Sequence, residues 1–267
     1  MEYNKVLTIA GSDSGGGAGV QADIKTISAC GCYAASAITA ITVQNTIGVK
    51  SVYGLPIEAV EGQIDAVLSD IGADSIKIGM LHSTEVIECI ARLLKRYNIK
   101  NVVLDTVMVS TSGHRLIEES AIASLINDLI PLARIITPNI PEAEILWGEK
   151  IEGQAQLPLV AESLGKRYKV SVLMKAGHLS DNTLTDILYN HESGEIISLS
   201  SPRTETKNTH GTGCTLSSAI AAMLAKGQEI NEAVRNAKEY LSQALVAGAD
   251  YEIGHGHGPV HHFWNLR

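Results

Sequence analysis

Aromatic residues are scarce in this 267-residue chain, which holds one Phe, two Trp and eight Tyr. Its core must therefore be aliphatic and alanine-rich, the usual filling of sheets packed against helices. Cysteine is equally sparse. Four residues, Cys30, Cys32, Cys89 and Cys214, cannot make the framework of a disulfide-rich secreted fold in so long a chain. Cys30 and Cys32 form a C-x-C in SACGCYAAS, read first as small buried residues and only second as a metal or redox pair. No stretch approaches the roughly 20 apolar residues of a membrane span, and the apolar run in MEYNKVLTIAGSD is too short and too acid-flanked for a signal peptide. A cytoplasmic protein with no membrane partner is expected. A basic excess is missing too: 21 Lys and Arg stand against 29 Asp and Glu, a formal net charge of −8. That removes the positive footprint of a duplex nucleic-acid binder.

What the chain does have is a regular beat of short β-rich runs and longer amphipathic ones. Strands are expected at VLTIA (6–10), AITAITV (37–43), SIKIGM (75–80), VVLD (102–105), ARIITPN (133–139) and VSVLMKAG (170–177). Helices are expected at GVQADIKTISACG, 58–70, 84–97, near 118–130, 155–168, 213–226 and 231–248, with a hairpin in TDILYNHESGEIISLS turning at 190–194. Strands alternating with helices imply an α/β fold, a mainly parallel sheet with right-handed crossovers and helices on both faces. No linker, repeat or low-complexity tract divides the chain, so residues 1–267 read as a single domain. Ligands of such sheets gather at the carboxyl ends of the strands. Most unusual polar residues fall there: Gly11 to Gly19, Gln44 and Asn45, Gly79 and Met80, Asp105, Asn139 to Glu142, Lys175 to His178, and Thr209 to Cys214.

GSDSGGGAGVQAD (11–23) lets the backbone approach a ligand closely at a helix start. It is no Walker loop, since no Lys-Ser or Lys-Thr follows the glycines, and its G-x-G-x-x-A lacks the acid that a dinucleotide site places after the next strand. Asp23 is either a ligand contact or a partner of the helix dipole. Asp105 ends a buried strand, where a charge needs a partner, a metal, a cap or a cleft. With Glu142 of the N-x-x-E at Asn139 it can hold Mg²⁺ through water, as that ion prefers. Lys175 follows a strand and either neutralises phosphate or snorkels at the surface. In NTHGTGCTLSSAI, residues Thr209, Gly211, Thr212 and Gly213 lead into an apolar helix, a geometry that cradles phosphate or the charge of one in transit. A thiol there, Cys214, is expected to have a lowered pKa, unless it is only a small buried residue. The four histidines of GHGHGPVHHFW read as a terminal segment packed on the body rather than a metal site.

In this order, GSDSGGGAGVQADIKT, ITVQNT, SIKIGML, VVLDTVMVSTSG, TPNIPEAE, VLMKAGH, NTHGTGCTLSSAIAA and GPVHHF resemble the bifunctional hydroxymethylpyrimidine and phosphomethylpyrimidine kinases of thiamin biosynthesis, in the ribokinase-like superfamily. The resemblance runs from about residue 5 to the end. It implies a three-layer α/β/α sandwich, a homodimer, and ATP-dependent phosphorylation of 4-amino-5-hydroxymethyl-2-methylpyrimidine and then of its monophosphate. It also implies that Gln44 and Asp23 hydrogen-bond the aminopyrimidine while Gly11, Ala18, Met80 and Val107 shape its slot. Asn139, Lys175, Thr209, Gly211, Thr212 and Gly213 would meet ATP, with Asp105 and Glu142 on the magnesium side. Cys214, assisted by Gly211, Gly213 and Lys175, falls where related sugar and pyridoxal kinases carry a catalytic aspartate. The first loop departs from the family pattern, reading D-S-G-G-G-A-G in place of D-P-S-G-G-A-G. Rival readings are a pyridoxal kinase side activity, a thiol enzyme using Cys214 with His210 as base, and a noncatalytic ligand-binding protein.

Overall fold

Nine strands form one sheet in the computed structural model, which describes residues 3–108, 117–176 and 183–266. The ends of VVLDTVMVSTSG and VLMKAGH lie outside the described residues. The strands are β1 (Lys5–Asp13), β2 (Tyr33–Asn45), β3 (Gly48–Gly54), β4 (Ser75–Ile78), β5 (Val102–Leu104), β6 (Ile135–Ile136), β7 (Ser171–Met174), β8 (Thr183–Tyr189) and β9 (Ile196–Pro202). They run in the order β3-β2-β1-β4-β5-β6-β7-β8-β9. The six inner strands β2, β1, β4, β5, β6 and β7 are parallel, and β3, β8 and β9 are antiparallel additions at the edges. The α/β reading with a mostly parallel sheet therefore stands.

Among the described residues eight α-helices cover the two faces: α1 (Gly19–Ala29), α2 (Ile57–Ala66), α3 (Thr84–Arg96), α4 (Glu119–Ser124), α5 (Ile140–Trp147), α6 (Leu157–Tyr168), α7 (Thr212–Ala225) and α8 (Ile230–Gly248). Because side chains alternate across a strand, neighbours in sequence enter opposite cores. Val102 and Leu104 pack with Val60, Ile64, Ile90, Leu146 and Leu164 of α2, α3, α5 and α6. Val103 packs instead with Ile27, Leu216, Ile220 and Val234 of α1, α7 and α8. These are the three layers of the expected sandwich. In α3 the buried Val86, Ile87, Ile90, Leu93 and Leu94 make the inward stripe, with Glu85 in the first turn and Lys95 and Arg96 in the last complementing the dipole.

Two elements escape the sequence pattern. β3 is an exposed edge on which only Val49 is buried, so no alternation marks it. Helix α5, which the strand–helix beat does not mark, carries Pro141 in its first turn, where a missing N–H is harmless. The N-x-x-E motif closes that helix start as a capping box: Asn139 accepts from the Glu142 amide at 2.9 Å, and Glu142 accepts from the Asn139 amide at 2.9 Å.

Candidate phosphotransfer site

At the carboxyl ends of the parallel strands lies a cavity of about 670 Å³. Its wall brings together Gly11, Ala18, Gln44, Met80, Val107, Asp105, Asn139, Glu142, Lys175 and the whole Thr209–Cys214 loop. Fifteen site residues were expected from the sequence, and only Asp23 is missing from this wall.

The β1–α1 turn is organised by Asp13. Its carboxylate accepts from the amides of Gly15 (2.8 Å), Gly17 (3.0 Å) and Ala18 (2.8 Å), and lies 2.8 Å from His210 Nε2. Burial works to raise this carboxyl's pKa, but His210 and the amides hold it below the usual range. The turn ends at Gly19, whose φ of +55° and contact with Gly11 O exclude a side chain.

The opposite lip is the start of α7. Gly211 caps it at φ +78°, and a Cβ there would run into Gly17 O, so the first and last loops touch backbone to backbone. Amides in the first turn of a helix have no carbonyl one turn back. Thr212 finds Thr209 O at 3.4 Å, leaving those of Gly213 and Cys214 at the open end. A Cβ on Gly213 would lie 3.5 Å from Lys175 Nζ and 3.6 Å from Asp105 Oδ2, so helix start, ammonium and carboxylate converge on one small volume.

Asp105 is buried and accepts from Lys175 Nζ (2.9 Å) and Thr137 Oγ1 (3.0 Å) at one oxygen and from Ser217 Oγ (3.2 Å) at the other. Burial alone would raise its pKa, yet Lys175 and Lys77 hold it below the ordinary value. Desolvation likewise opposes charge on Lys175, but Asp105 and Glu142 keep its pKa raised. Glu142 accepts from Thr106 Oγ1 at 3.0 Å. Burial raises its carboxyl, with Lys175 pulling against this and Asp105 adding to it. Among the described residues no group of three or more His, Cys, Asp or Glu side chains can ligate a metal directly. Two carboxylates already engaged with protein donors, one of them raised chiefly by burial and further by its neighbour's charge, fit a cation held through its own waters.

Two expectations are corrected here. Asp23 does not face the ligand. It is fully buried in α1, where its carboxylate takes both contacts from Lys77 Nζ (2.9 Å each), Thr8 Oγ1 (2.6 Å) and Ser218 Oγ (2.7 Å). The carboxylate is saturated by this internal ion pair, and no oxygen remains for a pyrimidine. Nor is the Cys214 thiol acidified. Although partly exposed on the cavity wall, it is desolvated enough to be pushed up to about 11, with Lys77 opposing and Asp23 and Asp105 reinforcing the shift. The helix-start effect invoked from sequence is outweighed by desolvation.

Lys77 and Asp13 are residues that sequence reading passed over, and His210 was considered there only as the base of a thiol enzyme. Lys77 is fully buried and lines the cavity; burial favours its neutral form, but Asp23 holds its pKa above the ordinary value. Its signal was a lone cation inside SIKI, since a charge in a strand buried on both faces requires a partner. Asp13's was an acid set among glycines, whose amides need an acceptor. The histidine-rich tail packs as expected: Gly258 O accepts the His210 amide at 3.0 Å, and His262 is buried with Nε2 3.2 Å from Thr215 Oγ1.

A family model described as phosphomethylpyrimidine kinase matches residues 13–261. The hydroxymethylpyrimidine/phosphomethylpyrimidine kinase of Rhizobium meliloti (strain 1021) is 50% identical over 258 residues, covering 96% of each chain. Among solved structures, phosphomethylpyrimidine kinase from Clostridium difficile 630 is 48% identical with a TM-score of 0.78, covering 90% of this chain and 99% of that one. An ADP complex of Bacillus subtilis pyridoxal kinase covers all of both chains with a TM-score of 0.90 at 34% identity. The likeness extends over nearly the full length in both sequence and fold, and the chain therefore belongs to the phosphomethylpyrimidine kinase family.

Proposed function

We propose that the protein transfers the γ-phosphoryl group of ATP to the hydroxymethyl oxygen of 4-amino-5-hydroxymethyl-2-methylpyrimidine, and then a second one to the resulting monophosphate, forming the pyrophosphate used to build thiamin. The carrying observation is the convergence of the α7 start, Lys175 and Asp105 at one point of a cavity whose other wall holds Gln44, Gly11, Ala18, Met80 and Val107. Phosphoryl transfer passes through a loose transition state and asks mainly for positioning and charge neutralisation. The Gly213 and Cys214 amides and the Lys175 ammonium supply that neutralisation, while Asn139 and the Thr209–Gly213 loop hold the nucleotide. Asp105 and Glu142 would hold hydrated Mg²⁺, which offsets the negative charge of the ATP phosphates when bound.

In this reading Cys214 acts as a neutral thiol. With its pKa near 11 it carries no charge at neutral pH, so position 214 adds no fixed anion beside the phosphate of the second substrate. That substrate attacks through a phosphate oxygen, which needs no base. The alcohol of the first substrate loses its proton late, so an oriented hydrogen-bond partner suffices. Residues 1–267 are taken as one kinase domain in a cytoplasmic homodimer; exposed Ile41, Val43 and Tyr53 on the β2–β3 edge supply an apolar face for the second copy. Light scattering on the purified protein checks the dimer. A side activity on pyridoxal is supported by the likeness to the Bacillus subtilis enzyme.

The test is a coupled ADP-release assay with the pyrimidine alcohol and with pyridoxal, followed by phosphorus NMR. Both the mono- and the diphosphate of the pyrimidine are expected, with pyridoxal turned over more slowly. Nucleotide binding without ADP release would instead make this a noncatalytic binding protein.

A further inference from the structure

We propose that Asp13 and His210 are a positioning pair that orients the Gln44 side-chain amide for an aminopyrimidine, so that substrate choice is set where the first and last loops meet. The inference rests on the pyrimidine kinase reading. Asp13 is an acceptor for three backbone amides and remains ionised, so the proton shared over the 2.8 Å contact belongs to His210 Nε2. Gln44 Nε2 stands 3.2 Å from that same nitrogen, and Gln44 Oε1 stands 3.2 Å from Thr42 Oγ1. The Thr42 hydroxyl already donates to Ser12 O at 2.7 Å, so it offers Gln44 only lone pairs. In that orientation donor faces donor and acceptor faces acceptor. Exchanging the two ends of the amide removes both mismatches: Nε2 donates to Thr42, and Oε1 takes the longer branch of a three-centre bond from the single His210 Nε2–H, whose shorter branch goes to Asp13.

Once turned, the amide has one N–H and one oxygen lone pair left for the cavity. That is a donor beside an acceptor, complementary to a ring nitrogen beside an exocyclic amino group, the edge an aminopyrimidine presents. A pyridine ring with no such amino group gives the oxygen no donor.

His210 is fixed for this task rather than free to follow Gln44. Its amide donates to Gly258 O at 3.0 Å, and its ring is crowded by the Gly17 backbone, where a Cβ would lie 2.6 Å from His210 Cδ2 and 3.0 Å from Pro259 Cβ. Its side chain is 13% exposed and that of Asp13 2%, so water does not compete strongly for the contact.

The test is a double-mutant cycle of His210→Ala and Gln44→Ala, reading KM for the pyrimidine alcohol, KM for ATP and kcat, with thermal unfolding of each variant. If His210 acts through Gln44, each single change raises the pyrimidine KM about tenfold or more, leaves the ATP KM within about twofold, and the double variant is no worse than Gln44→Ala. Multiplying effects, or an equal rise in the ATP KM, would overturn the pairing and leave the pyrimidine kinase reading intact. A wild-type protein inert toward the pyrimidine alcohol would overturn both. Should His210→Ala fail to fold, His210→Asn runs the same cycle with the same two outcomes.

Discussion

Cys214 and Asp23 show how single residues change meaning once their surroundings are known. With its thiol pushed up to about 11, Cys214 is expected to react slowly with iodoacetamide at pH 7.5, and the rate should climb only as pH approaches 10 or above. Cys214→Ala should lower kcat about tenfold to a hundredfold in both phosphorylations, below or at the low end of full general acid–base contributions; loss confined to the first step would make the thiol a base instead. For Asp23 the expectation is structural. Lys77→Met leaves a fully buried carboxylate without its counter-ion, a change worth about 3 to 5 kcal/mol of stability. Denaturant unfolding would register it, whereas a preserved midpoint would contradict the internal pair. Sequence identified Asp105, Lys175 and Glu142 because charges beside buried strands need explaining. It misjudged Asp23 because helix position alone does not say which way a side chain faces.

Among the elements, the strongly periodic ones were legible: the apolar stripe of α3, the small apolar face of α7, the turn at Asn190 and Gly194 between β8 and β9. What stayed hidden, β3 and α5, lacked either a buried face or an unambiguous start. The α7 start tests its own geometry. Gly211→Ala puts a Cβ into Gly17 O at positive φ, so the two loops must part and kcat should fall by about a hundredfold or more, as misplaced reacting groups do. Behind this turn, His262 is set between Thr215 of α7 and Tyr240 of α8, whose hydroxyl donates to His262 O. Burial drops its pKa from 6.5 to about 4. Because the unfolded chain takes up that proton first, the contribution is whole above pH 6.5 and is lost as pH falls toward 4, by at most about 3 kcal/mol. Subtracting the pH–stability profile of His262→Asn from that of the parent protein isolates it; a flat difference would show that the ring is not buried neutral.

At the scale of the whole molecule, a chain of net charge −8 binds polyanions in this account by local means. A helix start, one paired lysine and the proposed hydrated cation would act inside a cavity at the strand ends, where nearby charges are weakly screened. The sheet, its layers and the mouth where ligands gather followed from alternation of strand and helix. Contacts between residues 197 positions apart, as Asp13 and His210 are, left no trace in spacing, since only the folded chain brings the first loop against the last. No helix among the described residues is long and apolar enough to cross a membrane. The most direct measurement is a crystal structure with a non-hydrolysable ATP analogue and the hydroxymethylpyrimidine together. The expected result has the γ-phosphorus at the Gly213 and Cys214 amides, within about 3.5 Å of the alcohol oxygen. A terminal phosphate bound away from that helix start, with the alcohol out of reach, would contradict the account.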